Sequence, residues 1–136
     1  MHNVHQTDFS AGSGNALQAC VASVFDLGLE EVPNFVKEDN YLSAMQTWLA
    51  MRGLTFLKVP LLHGALSFPP GERTTCLLAG NSPRGDFRHV IVAETRGNAF
   101  HPLHDPHPDA TFLRGDPSWA GFFVMNRPEL STLARN

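Results

Sequence analysis

The amino-acid sequence predicts an α+β fold in which N-terminal helices pack on an antiparallel β-sheet. Apolar residues recur at helical spacing in the first 52 residues. After Gly53 the pattern changes to short extended segments separated by Gly, Pro or Asn turns. Helices that precede the strands, rather than alternate with them, are typical of α+β domains. A chain of 136 residues accommodates one such domain, so we expect residues 1–136 to form a single unit.

Two helices are expected before the strands begin. Asn15 follows a Gly/Ser-rich loop and is the expected N-cap, because its side chain can accept a free N–H of the first turn. Gly28 is the expected end of this helix, since glycine readily adopts the left-handed conformation. A helical turn over Leu29–Val36, interrupted by a proline, follows. The second amphipathic helix is expected over Tyr41–Arg52, with Gly53 as its stop.

The rest of the chain predicts a sheet, followed by a short helix or frayed tail over Arg127–Asn136. Arg96-Gly97-Asn98 is typical of a tight hairpin turn between the third and fourth strands. The strands are expected at Leu54–Val59, Thr74–Ala79, Phe87–Glu94, Asn98–Leu103 and Gly121–Asn126.

Composition and charge argue against several classes of function. The net charge is −3 and the ten Lys and Arg residues are scattered, so we expect no nucleic-acid partner. No signal peptide opens the sequence and no apolar run reaches the ~18 residues that a membrane helix needs, so we expect no membrane partner. Only two cysteines are present, Cys20 and Cys76, which indicates reduced thiols and a cytoplasmic protein.

Three stretches of the sequence together suggest a nucleophilic site. Residues 14–20 turn from a loop into a helix, residues 80–92 lead into a strand near His89, and Asp105 follows the next strand. A helix N-terminus favours a thiolate, and a histidine beside a carboxylate supplies an oriented base. The hairpin turn at Gly97 predicts that His89 and Asp105 lie close together.

The motifs occur in the order Gln6, Ala16 with Cys20 four residues later, His89-Val90-Ile91-Val92, and Asp105-Pro106. In this the chain resembles the double-glycine peptidase-like branch of the papain-like cysteine proteases, which includes domains fused to bacteriocin transporters. That branch carries a glutamine, a catalytic cysteine with a second cysteine four residues later, His-Val-Val-Val and Asp-Pro. The resemblance covers almost the whole chain and implies a papain-like fold with no cofactor.

The resemblance implies a role for each matching position. Ala16 occupies the place of the nucleophile and His89 that of the general base, while Asp105 orients the histidine and Gln6 donates to the oxyanion. The stretch between Gln6 and Ala16 is longer than the usual spacing of the family. The side chain of Gln18, or the backbone N–H of position 16, is therefore an alternative oxyanion donor.

Four residues are candidates for binding the substrate. Arg84 and Ser82 lie in the loop before His89, where a guanidinium can pair with a substrate carboxylate. A solvated turn arginine is the equal alternative for Arg84. Asn15 and Gln18 flank the nucleophile position on either side.

Alanine at position 16 is the main departure from the family. A methyl group cannot attack a carbonyl, so the chain as given does not form an acyl-enzyme. Either Ala16 replaces a cysteine through a deliberate substitution, or the protein is a natural pseudoenzyme. The retained partners His89 and Asp105 favour the substitution. Cys20 is disfavoured as the nucleophile, because one turn into the helix it is expected to face the core.

The leading hypothesis is therefore a thiol hydrolase that cleaves an amide, isopeptide or related acyl bond of a peptide or small substrate. An acyltransferase or cyclase with the same triad stays open, because the acyl group can pass to an amine. A binding module that holds a peptide or small acyl ligand in an inactive cleft is the alternative. His101, His104 and His107 match no familiar zinc spacing, so we expect them in a loop lining the cleft and no metal.

Overall fold

A five-stranded antiparallel sheet with two helices against it forms the frame of the molecule, which confirms the predicted α+β class. The computed structural model describes residues 1–10 and 14–130. The helices are α1 (Ala16–Phe25) and α2 (Tyr41–Ala50), with 3₁₀ turns at Leu29–Glu31, Phe35–Lys37 and Pro128–Leu130. The strands are β1 (Leu54–Pro60), β2 (Thr75–Asn81), β3 (Arg88–Arg96), β4 (Ala99–His104) and β5 (Arg114–Met125). Within the described ranges no helix has the length and apolar character to cross a membrane.

Helix α1 begins after Asn15 as predicted but ends before Gly28. Asp26 adopts the left-handed conformation, with φ 57°, and its backbone N–H reaches the carbonyls of Ala22 and Ser23. Aspartate tolerates this conformation, and its carboxylate lies 3.1 Å from the N-terminal amino group. The expectation that Gly28 ends the helix is therefore wrong: Gly28 has φ −71° and precedes the next turn.

Helix α2 follows the prediction more closely. The side chain of Asn40 accepts the backbone N–H of Ser43 at 3.1 Å and so caps its first turn. The chain leaves the helix through Gly53, whose φ of 74° is readily available only to glycine. Of the predicted C-terminal helix, Pro128–Leu130 form a 3₁₀ turn and the later positions lie outside the described residues.

The strands lie in the order β1-β5-β2-β3-β4, and every neighbouring pair is antiparallel. The first four strands agree with the predicted ones to within two residues. The fifth does not, because β5 begins at Arg114 rather than Gly121. Its first half pairs with β2 across a register shift next to Ala79, and Pro117 is accommodated in this irregular part.

Two apolar clusters cover the two faces of the sheet. The larger one packs α1 and α2 on the sheet and includes Val21, Met45, Leu77 and Val92. The smaller cluster is built from the alternate strand residues, whose side chains point to the opposite face. Helix α1 packs on β3 and α2 packs on β1. This packing sets the N-terminus of α1 at the same cavity as the start of β3.

Candidate active site

One cavity is lined by four of the eight predicted site residues. It has a volume of about 490 Å³, and Ala16, His89, Gln6, Arg84 and His107 lie in its wall. Ala16 is the first residue of α1, so the backbone N–H groups of the first turn have no partner inside the helix. No side chain in the described part of the chain caps this end. The positive end of the helix dipole is therefore available at the cavity.

The predicted contact between His89 and Asp105 is confirmed. Strands β3 and β4 form a hairpin in which Arg96 pairs with Ala99, so the turn is the predicted one at Gly97. The hairpin places Asp105, just after β4, against the second residue of β3. His89 Nε2 lies 2.6 Å from Asp105 Oδ1, and both side chains are at most 3% exposed.

The carboxylate of Asp105 is held in its ionised form. Burial on its own raises the pKa of this group. The hydrogen bond from His89 and the backbone N–H groups of His107 and Phe112, at 3.0 and 2.8 Å, outweigh burial. The pKa of Asp105 therefore lies below its ordinary value, and three donors fix the direction of the carboxylate.

This arrangement fixes which nitrogen of His89 acts as a base. An ionised carboxylate accepts, so His89 donates its Nε2–H to Asp105. In the neutral ring Nδ1 then carries the lone pair. Nδ1 makes no hydrogen bond to any residue in the ranges 1–10 and 14–130. His89 thus offers an oriented base nitrogen in the wall of the cavity.

Gln6 lies in the same wall but is anchored differently from a free oxyanion donor. Its Nε2 donates to the backbone carbonyl of Asp8 at 2.9 Å, which sets the orientation of the amide. Its backbone N–H donates to the carbonyl of Pro106 at 3.0 Å. Oε1 is buried and has no partner among the described residues. One amide N–H of Gln6 is therefore used, and no residue in the described ranges accepts the second.

Three predicted substrate-binding residues have other functions. Gln18 donates its amide to the carbonyls of Leu29 and Val32, at 2.9 and 2.7 Å, so it ties α1 to the next turn and is not an oxyanion donor. Ser82 is fully buried and its Oγ accepts the backbone N–H of Arg84 at 3.1 Å. Neither residue lines the cavity.

Asn15 is also a structural residue. Its Oδ1 accepts the backbone N–H groups of Thr7 and Asp8, both at 2.9 Å, and its Nδ2 donates to the Thr7 hydroxyl. The amide therefore fixes the N-terminal segment to the start of α1, and the expectation that it caps the first turn is wrong. The role suits the site, since this segment carries Gln6.

Cys20 does not compete for the role of nucleophile. It is fully buried, and its Sγ contacts the carbonyl of Val90 at 3.4 Å. Burial raises the pKa of the Cys20 thiol well above its usual range, and the charge of Asp105 raises it further. Burial likewise raises the pKa of Cys76 to about 12. Both thiols are free and buried, and neither lines the cavity.

The side chains of His101, His104 and His107 do not lie close together. His101 is exposed, and His104 is buried with Nε2 2.7 Å from the carbonyl of Val4. Only His107 lines the cavity, where its ring contacts that of Phe9. The expectation that all three line the cleft is therefore wrong. Within the part of the chain that the structure describes, no three His, Cys, Asp or Glu side chains are grouped so that they could hold a metal ion.

Several residues of the cavity wall were not singled out from the sequence. Arg88 immediately precedes His89, and that adjacency was the available signal. Tyr41 and Val36 come from segments distant in sequence, and only the packing of the helices brings them here. Trp119 also lines the cavity, from β5.

Comparison with known proteins gives no match: no protein-family model, no curated protein and no solved structure matches this chain.

Proposed function

We propose that this chain carries a papain-like thiol-hydrolase site in which alanine replaces the nucleophilic cysteine. One observation carries the proposal: the N-terminus of α1 at Ala16 and His89, whose ring is paired with the buried Asp105, lie in the wall of the same cavity. A helix N-terminus and an oriented imidazole are the two groups that convert a thiol into a thiolate near neutral pH.

In the proposed reaction, a cysteine at position 16 works together with these groups. Nδ1 of His89 takes the thiol proton, and the thiolate sulfur attacks the carbonyl carbon of an amide or related acyl bond. The oxyanion accepts the backbone N–H of position 16 and the second amide N–H of Gln6. The C–N bond then breaks, and His89 returns the proton to the leaving amine. Water activated by His89 hydrolyses the thioester, which releases the acid and restores the thiol.

With Ala16 the same site binds without cleaving. The methyl group has no lone pair, so bound substrate stays intact. The cavity wall is largely apolar, with Leu17, Val36, Val90 and Trp119 among its residues. This lining supports a second candidate function, a binding module for an acyl or peptide ligand. Transfer of the acyl group to an amine instead of water uses the same thioester.

The test is turnover by the variant Ala16→Cys with p-nitrophenyl octanoate, an activated ester with an apolar acyl chain. We expect a burst of p-nitrophenolate followed by continued release, because the site both forms and hydrolyses the thioester. The second substitution His89→Ala should abolish the continued release. The matched control is Ala50→Cys, which places a thiol on the exposed last residue of α2.

Two results distinguish the functions. Stoichiometric acylation without turnover, equal in Ala16→Cys and Ala50→Cys, contradicts the hydrolase site and leaves the binding module. Turnover that depends on His89 supports the hydrolase, and intact-mass detection of the octanoyl adduct on the Ala16→Cys chain confirms the intermediate.

A further inference from the structure

Arg84 lines the cavity and has one unused edge of its guanidinium. Nη1 donates to Asp109 Oδ1 at 3.1 Å and to the Thr111 hydroxyl at 2.9 Å. The opposite edge, formed by Nε and Nη2, has no partner within residues 1–10 and 14–130. That edge is the fork that binds a carboxylate through two parallel hydrogen bonds. Asp109 and Thr111 thus hold the group in place while leaving its binding edge open.

The position of Arg84 also distinguishes it from a solvated arginine. Its side chain is 21% exposed and lines the same cavity as Ala16 and His89. Arg73, which pairs with Glu94 on the surface, is 69% exposed by comparison. Holding a guanidinium this far from water is useful where a ligand completes its hydrogen bonds.

The charge in the cavity wall favours an anionic ligand. The wall contains Arg84 and Arg88, and none of its residues in the described part of the chain is Asp or Glu. Arg88 donates to the neutral side chain of Asn81 at 3.3 Å and makes no ion pair with a described residue. Asp109 pairs with Arg84 and Asp105 lies behind His89, but neither carboxylate is in the wall, so the two charged side chains that line the cavity itself are both cationic.

The remaining wall is mostly apolar and aromatic, so the anionic group is one end of a largely apolar ligand. We propose that the cavity takes N-acyl amino acids or short peptides that end in a free carboxylate, with the carboxylate on the Nε–Nη2 edge of Arg84 and the apolar acyl group in the cavity. The inference rests on the proposed function, since it treats this cavity as the substrate site. Arg84 is then the residue that selects a terminal over an internal amide bond.

The experiment uses the chain with Ala16 in place, because this chain does not cleave what it binds. Binding of N-octanoyl-L-phenylalanine is compared by calorimetry with binding of its primary carboxamide, which differs only in the charged group. We expect the acid to bind about tenfold to a hundredfold more tightly, the range for a charge-assisted pair. Arg84→Gln should remove the preference, and Arg84→Lys should recover only part of it, because an ammonium lacks the fork. Arg73→Gln is the matched control.

The outcomes separate this inference from the proposed function. Equal affinity for acid and amide, or a preference that survives Arg84→Gln, overturns recognition by Arg84. No binding of either probe overturns this substrate class. In both cases turnover by Ala16→Cys can still establish the hydrolase. The reverse result is also possible: the chain prefers the acid through Arg84, but the Ala16→Cys variant shows no turnover. That combination supports carboxylate recognition and rejects hydrolysis.

Discussion

Replacing Asp105 with Asn tests how much the buried carboxylate stabilises the fold. Three donors converge on it, namely His89 Nε2–H and the backbone N–H groups of His107 and Phe112. An asparagine has one acceptor oxygen and one NH₂ group, so at least one donor is left facing another donor. A buried unsatisfied donor costs about 1–3 kcal/mol, with the larger values where the lost hydrogen bonds are to a charged group such as this carboxylate. We therefore expect a loss of about 3 kcal/mol in the free energy of unfolding.

The assay is urea unfolding of the parent chain, Asp105→Asn and the control Asp86→Asn, whose carboxylate is fully exposed. With a slope near 1.5 kcal/mol per M, the midpoint for Asp105→Asn should fall by about 2 M at unchanged slope. The control should leave the midpoint unchanged, because its carboxylate lies in solvent. A loss below about 1 kcal/mol in the free energy of unfolding of Asp105→Asn would contradict this prediction. It would show that the three donors do not need this carboxylate to stay hydrogen-bonded.

The same pair predicts a dependence on pH. The pKa of Asp105 is lowered in the folded state, so its stabilisation is complete above the unfolded pKa of about 3.9. The stabilisation is lost as the pH falls from there through the folded pKa. The difference in stability between the parent chain and Asp105→Asn should therefore shrink with acidification below about pH 4. A difference that is constant through this range contradicts a depressed pKa.

Three further results are expected. Cys20 and Cys76 should both resist iodoacetamide in the folded chain near pH 8 and react after unfolding, because burial raises the pKa of each thiol. Intact mass counts the modified thiols, and rapid modification of either one in the native state contradicts this. Gln18→Ala should lower the free energy of unfolding in urea by about 1–2 kcal/mol but leave turnover by the Ala16→Cys variant intact, since the Gln18 amide binds backbone carbonyls outside the cavity. A loss of turnover without a loss of stability would instead indicate that Gln18 is an oxyanion donor. Gly121→Ala should cost about 1–3 kcal/mol, because the added methyl group would collide with the ring of Phe56; a thermal midpoint equal to that of the parent would show that the strands are further apart.

The fold was predictable where local patterns decide it. The helical spacing before Gly53 and the extended segments after it gave both helices and four of the five strands nearly to their ends. The end of α1 was not predictable, because a left-handed Asp26 ends it, whereas the sequence pattern favours glycine in that conformation. The first half of β5 was missed because Gly115 and Pro117 are typical of a break, and only pairing with β2 carries the strand through them.

The site was predictable to the extent that strand register decides it. The hairpin turn at Gly97 predicted the contact of His89 with Asp105, but not the register shift between Val92 and Ala93 that precedes it. The partners of Asn15 and Gln18 depend on the paths of loops, which periodicity does not reveal. Both residues therefore seemed available for substrate, although each amide is bound to nearby backbone.

We propose that the cavity activates a thiol at position 16, and a titration of that thiol would show this without any substrate. The thiolate absorbance of Ala16→Cys near 240 nm would be followed against pH, with the parent chain as the blank for the two buried cysteines. We predict a transition below about pH 7 that moves toward the ordinary value of about 8.5 when His89 is also replaced by Ala. A transition near pH ~8.5 in Ala16→Cys itself, unchanged by the loss of His89, would contradict the account.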